Sequence, residues 1–139
     1  MMEVNVYYEN LILVPAVAFV VTTFLKWVII KLRTGKLDLA WSLWSGGMPS
    51  VHSSVVVSLA TAVAIKHWID SDFFAISMAF TVIIIYDAIN VRFEAWQHAV
   101  VINETIWEKR FKESLWHLPS EAFAWSILWI LIAIILYYI

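Results

Sequence analysis

Apolar residues along this chain come in long blocks, at 11–32, 51–69, 73–91 and 118–138. Each is close to the length of about 20 apolar residues that a helix needs to cross a bilayer. No segment alternates as a transmembrane β-strand would. The pattern predicts an all-α fold: an integral membrane four-helix bundle formed by one domain, 1–139. The polar interruptions are few. Lys26 and Lys31 break the first block, and His52, Lys66 and His67 lie near the ends of the second. Asp87 is the one charge inside the third, and Glu121 sits near the start of the fourth. Beyond Asp87, the residues Asn90, Glu94, Gln97 and Glu104 continue at helical spacing. They predict a third helix that runs on past the bilayer with a polar seam, Arg92 lying on a different face.

Composition sharpens this picture. Hydrophobic residues make up 63% of the 139 positions and charged residues 14%. Soluble domains run near roughly 45–50% and 25%, so too few charges remain to coat a water-soluble globule. Disorder is excluded by the same hydrophobicity. A net charge of −2 offers no basic field for nucleic acid. The absence of cysteine rules out disulfides and thiolate metal sites. The N-terminal MMEVNVYYEN is acidic and lacks the basic start of a cleaved signal peptide.

Charge placement predicts orientation. Lys31, Arg33 and Lys36 mark the first loop, and Arg92, Lys109, Arg110 and Lys112 mark the third. The positive-inside bias then puts both loops in the cytoplasm and both termini on the outer side, in the plasma membrane of the cell. Trp27, Trp41, Trp44, Trp68, Trp107, Trp116, Tyr137 and Tyr138 cluster near span ends, as an aromatic belt does.

The two cytoplasmic loops carry the candidate chemistry. The first ends in Ser45-Gly46-Gly47-Met48-Pro49-Ser50-Val51-His52-Ser53. Gly46 and Gly47 permit close approach of a ligand to the backbone, and Pro49 suits the first turn of a helix. The free N–H groups of such a helix start form an anion site, with Ser50 and His52 beside it. The same residues also make an ordinary helix start with serine caps. The third loop ends in Lys112-Glu113-Ser114-Leu115-Trp116-His117-Leu118-Pro119-Ser120-Glu121. Pro119 should open the fourth helix, and the four-residue step from His117 to Glu121 allows a carboxylate to orient an imidazole. A dipole-favoured acid and a surface histidine would look the same. Lys26 and Arg33 are seven apart and share a helix face. Lys26 needs an anion, a water-lined cavity or a snorkelling route. Asp87 inside the third span is a functional candidate by position, or a structural partner for Lys26.

Together these pieces resemble the divergent branch of the type 2 phosphatidic acid phosphatase superfamily, related to vanadium-dependent haloperoxidases. Gly46–Ser53 resembles that branch's GGMPSSHS, and Tyr86-Asp87-Ala88 with Val91-Arg92 resembles its YDA–VR segment, followed by Val101-Ile102-Asn103. Lys112-Glu113 with His117, Pro119 and Glu121 resembles its KELLGHxPxEV. The wider superfamily's K-x6-R, P-S-G-H and H-x3-D elements fall on Lys26 and Arg33, on Pro49 to His52, and on His117 and Glu121. Departures are Val51 for glycine, Trp116 for the glycine before the histidine, Trp96 and His98 for glycine and glutamine, and Phe111 for the arginine six before His117.

The resemblance implies a phosphatase without metal or cofactor, acting on a lipid phosphate monoester or diphosphate. His117 would attack phosphorus to form a phosphohistidine, and Glu121 would orient its ring. His52 would protonate the leaving oxygen and then activate water. Lys26, Arg33, Gly47, Ser50, Arg92 and Lys112 would hold phosphate oxygens, with Asp87 and Gly46 in support. The expected partners are a lipid phosphate and the bilayer, with a homodimer compatible with lipid-exposed flanks. The alternative is a non-catalytic lipid-binding or assembly protein that keeps the fold, a reading carried by Val51, Trp96 and Trp116.

Overall fold

The computed structural model describes residues 6–35, 49–108, 110, 111, 113 and 119–139. Its elements are α1 (Val6–Glu9), α2 (Leu13–Thr34), α3 (Val51–His67), α4 (Asp72–Tyr86), a π-helical segment (Asp87–Val91), α5 (Arg92–Ile106) and α6 (Pro119–Tyr138). The described residues contain no strand.

Local chemistry sets the helix ends. Gly35 closes α2 in the left-handed conformation at φ 70°, its N–H donating to the Lys31 carbonyl at 2.9 Å. Glycine takes that backbone shape without the penalty a Cβ brings. At the start of α4 the Ser71 hydroxyl accepts the Phe74 N–H at 3.2 Å, the usual N-cap bond. Proline needs no N–H partner in a first turn, and α6 opens on Pro119 as expected.

Helix α3 is the centre of the fold, packed against α2, α4 and α6. Its buried residues are Ser53, Ser54, Val57, Ser58, Ala60, Ala62 and Val63. They form no single stripe, because neighbours cover several faces at once. Most are small, which lets helix backbones approach closely where the surroundings are apolar. The Ser54 and Ser58 hydroxyls are satisfied within the helix. Ser54 Oγ donates to the Val51 carbonyl at 2.7 Å and Ser58 Oγ to that of Val55 at 3.1 Å. Thr81 of α4 donates to its own Ser77 carbonyl at 2.8 Å and reaches across to the Val56 carbonyl at 3.2 Å.

Two apolar clusters pin α3 in place. Ala18, Val57 and Trp129 form one; Tyr8, Val14, Ala62 and Ala133 form the other. Trp129 is fully buried. The second cluster ties the two ends of the chain together. Tyr8 packs edge-on against Tyr137 at 4.9 Å, and its hydroxyl donates to the Ala133 carbonyl at 2.8 Å. Burial, and then Tyr137, push that phenol up to about 12. Tyr8→Phe should lower stability by about 0.5–1.5 kcal/mol, read as a lower thermal midpoint in detergent. The neutral phenol is favoured by folding, so its contribution is complete below pH 10 and is lost between 10 and about 12. The mutant should therefore show a smaller alkaline loss over that interval.

Leu13–Leu32 and Asp72–Ile106 are long and apolar enough to cross a bilayer, and Val51–His67 and Ala122–Tyr138 are shorter apolar helices. The sequence blocks thus reappear as helices with shifted ends. The largest change is the third: α4, the π segment and α5 form one rod of 35 residues. At 1.5 Å per residue it is about 52 Å long, well beyond a hydrocarbon core of about 30 Å. The predicted continuation of this helix is therefore present.

Candidate active site

The site begins at the N-terminus of α3. Ser50 is its N-cap, extended at φ −81° and ψ 111°, and only 2% exposed. Its Oγ accepts the Ser53 N–H at 3.4 Å and the Ser53 hydroxyl at 3.1 Å. A hydroxyl has two acceptor positions and one donor, so Ser50 keeps its own hydrogen to offer an anion. Both sequence readings of this serine, cap and anion donor, are compatible in one residue. The expected place of Pro49 shifts: it precedes the cap and does not occupy the first helical turn.

His52 is exposed in the first turn of α3. Its Nε2 lies 3.4 Å from Arg92 Nη2. A guanidinium only donates, so Nε2 can accept from it only while the ring is neutral with its hydrogen on Nδ1. The length marks a weak bond, easily exchanged for one to a ligand oxygen.

Arg92 is where the structure departs most from the sequence expectation. The regular helical period puts Arg92 off the Asp87 stripe, since five residues at about 100° each leave them about 140° apart. In the structure the segment Asp87–Val91 is π-helical, and the Arg92 backbone N–H bonds to the Asp87 carbonyl five residues back. That wider turn brings the two side chains together, with Arg92 Nε donating to Asp87 Oδ2 at 2.8 Å. The physical reason is the extra residue in the turn. Such single-turn insertions occur often at functional sites. Asp87 is therefore partnered by Arg92 and holds its guanidinium toward His52.

Lys26 is 4% exposed, on the buried face of α2. It does not reach solvent by snorkelling. It lies in the field of Arg92, and His52 lies in the fields of Arg92, Asp87 and Lys26. The structure thus gathers Lys26, Ser50, His52, Asp87 and Arg92 from three separate parts of the chain at one end of the helices. An imidazole, two cations and a capped helix start are a set suited to binding a phosphate and moving a proton at it.

The remaining expected residues are placed in part. Arg33 belongs to the last turn of α2 and Glu121 to the first turn of α6. Gly46, Gly47, Lys112 and His117 lie outside the described residues. Asn90, Glu94, Gln97 and Glu104 are exposed, so the polar seam faces outward. Among the described residues, no three His, Asp or Glu side chains gather as a metal site.

The described residues also line two cavities. One, of about 390 Å³, runs along α2 past Phe19, Val20, Thr23, Phe24 and Trp27. The Nε1 of Trp27, one of the belt aromatics, is buried without a partner among the described residues. The other, of about 640 Å³, is lined by Val100, Asn103, Glu104, Trp107, Glu108 and Glu113. Sequence reading gave Asn103 no role beyond its motif, and nothing in helical periodicity marks it. The available signal was a carboxamide in a helix followed within ten residues by a polar loop.

Comparison with known proteins gives the chain's family. The family described as "Divergent PAP2 family" matches residues 7–132, and the chain belongs to it. The chain is also 37% identical over 123 residues to "Uncharacterized membrane protein YuiD" of Bacillus subtilis (strain 168). That match covers 74% of this chain and 78% of the other protein. No solved structure matches the chain.

Proposed function

We infer that this chain is a membrane phosphatase, acting on a lipid phosphate monoester or diphosphate from the cytoplasmic side of the plasma membrane. The observation that carries the reading is the His52–Arg92–Asp87 chain beside buried Lys26 and the Ser50-capped start of α3. Family membership supports it. So does the outward face of the helices, where Phe19, Phe24, Phe80, Ile83 and Phe123 are exposed and suit a lipid environment. Four spans with both termini outside put the first and third loops on one side. The α2 cavity would take an acyl or prenyl tail.

In this mechanism Lys26, Arg92, Ser50 and Lys112 hold the non-bridging oxygens. His117 attacks phosphorus, the bond to the lipid oxygen breaks, and His52, protonated in the substrate complex, gives that oxygen a proton and becomes neutral. Water then attacks the phosphohistidine, giving a proton back to His52 and releasing inorganic phosphate. Positioning and charge carry most of such a reaction.

The test uses purified protein with a chelator and a panel of phosphatidic acid, phosphatidylglycerophosphate and isoprenyl phosphates and diphosphates. Phosphate release that vanadate blocks is the expected result. No cleavage across the panel, with lipid binding retained, would transfer the chain to the lipid-binding or assembly class. Thiol labelling of Ser45→Cys and Ser114→Cys from outside intact cells would overturn the orientation.

A further inference from the structure

Ser53 is the third residue of α3 and is fully buried. An ordinary cap needs one bond from that position, its N–H to the Ser50 oxygen, and that bond is present at 3.4 Å. The structure adds a second, between the two hydroxyls at 3.1 Å. Neither hydroxyl has a further hydrogen bond among the described residues. The pair therefore owns two hydroxyl hydrogens and one bond to use them in, and one hydrogen is always left over. Left on Ser53, it would be sealed inside the packed face of α3 with no acceptor, which is costly. Left on Ser50, it stands at the helix start beside His52, where an anion can take it. The favoured direction is thus Ser53 donating to Ser50.

We propose that Ser53 is a positioning residue for the phosphate site: by donating its hydroxyl hydrogen to Ser50 Oγ it keeps the Ser50 hydroxyl a donor toward the anion. This rests on the phosphatase reading for the anion it serves. Ser50 Oγ then has both acceptor positions filled, by the N–H and the O–H of Ser53, and offers only a hydrogen. Lys26 and Arg92 likewise only donate. Such a set matches oxygens that carry no hydrogen of their own. Without the Ser53 hydroxyl, one acceptor position on Ser50 opens. The Ser50 hydroxyl can then turn and present a lone pair, which repels a bare oxyanion but accepts a hydrogen from a protonated one. Two anions of the same shape separate these states. Sulfate carries no hydrogen near neutrality, whereas inorganic phosphate carries at least one.

The experiment uses the full-length protein in detergent and measures its affinity for sulfate and for inorganic phosphate at neutral pH. Ser53→Ala should weaken sulfate by about fivefold, the size of one hydrogen bond, and phosphate by less. Ser50→Ala removes the group that Ser53 orients. On that background Ser53→Ala should change either affinity by less than about twofold, because coupled residues do not add. A merely structural defect would add to the Ser50 loss and would weaken both anions alike. If Ser53→Ala loses its helical circular dichroism, Ser53→Cys carries the test. The thiol is close in size and a weak donor, and it should lower sulfate affinity by about threefold. Sulfate affinity within about twofold of wild type in a folded Ser53 variant would overturn the proposal. So would additive losses in the double variant, or equal losses for both anions. Wild-type protein that binds neither anion would remove the anion site and this role with it. Coupling of the two serines in a protein that binds both anions but cleaves no lipid phosphate would keep the proposal and sink the phosphatase reading.

Discussion

His52→Ala should lower kcat on a lipid phosphate by about 10²–10⁴-fold, the range for loss of a positioned general acid and base. Helix formation should survive, because the side chain is exposed and alanine is the best helix former. The decisive measurement is the dependence on the leaving group. An alkyl alcohol leaves poorly without a proton, whereas an aryl alcohol leaves well without one. The mutant should therefore lose far more activity on alkyl phosphates than on an aryl phosphate. An equal loss on both would mean that His52 shapes the site without transferring the proton. Wild-type turnover by His52→Ala would remove it from the mechanism. His117→Ala should behave differently, with no turnover on either ester and no trapped phosphoenzyme.

Arg92→Lys should lower kcat/KM by about 10²–10³-fold, comparable to removing one preorganised donor from a charge-stabilising site. The change keeps the charge and is nonetheless severe. Arg92 uses Nε on Asp87 and Nη2 on His52, two directions from one planar group. A lysine ammonium presents a single nitrogen on a flexible stem and cannot serve both. Asp87→Asn should cost less, about tenfold, because its carbonyl oxygen still accepts from Nε while the guanidinium loses the charged partner that orients it. Steady-state kinetics of the three proteins would order them wild type, Asp87→Asn, Arg92→Lys. A lysine variant equal to wild type would show that only charge is needed at 92, and the argument from the fork would fail.

Much of this molecule was readable from its residues, and the unreadable parts share a cause. Block length announced the helices, because apolar runs have few other uses at this length. Pro119 and the Gly–Pro stretch marked helix starts, although the α3 cap fell on Ser50 and displaced Pro49 from the first turn. The grouping of His52, Arg92 and Asp87 came from motif resemblance, and periodicity alone would have separated Arg92 from Asp87. That failure is instructive: a pattern read at 3.6 residues per turn assumes the period it uses, and a π turn leaves no compositional trace. Asn103 is hidden for a related reason: three of its four hydrogen bonds go to the main chain of Arg110 and Phe111, which any sequence supplies, and one to the Glu113 carboxylate. Trp129 stands away from the span ends, and it is buried in the core with Ala18 and Val57.

The π-helical segment also gives the turn from Asp87 to Arg92 one residue more than an ordinary helical turn holds. Deleting one residue between them would let the rod close into an ordinary α-helix with a better backbone. The two side chains would then stand four steps apart, about 40° round the helix, and still share a face. Adding one residue would leave six steps, about 120° to the other side in a regular helix. The segment should therefore tolerate the loss of one residue far better than the gain of one.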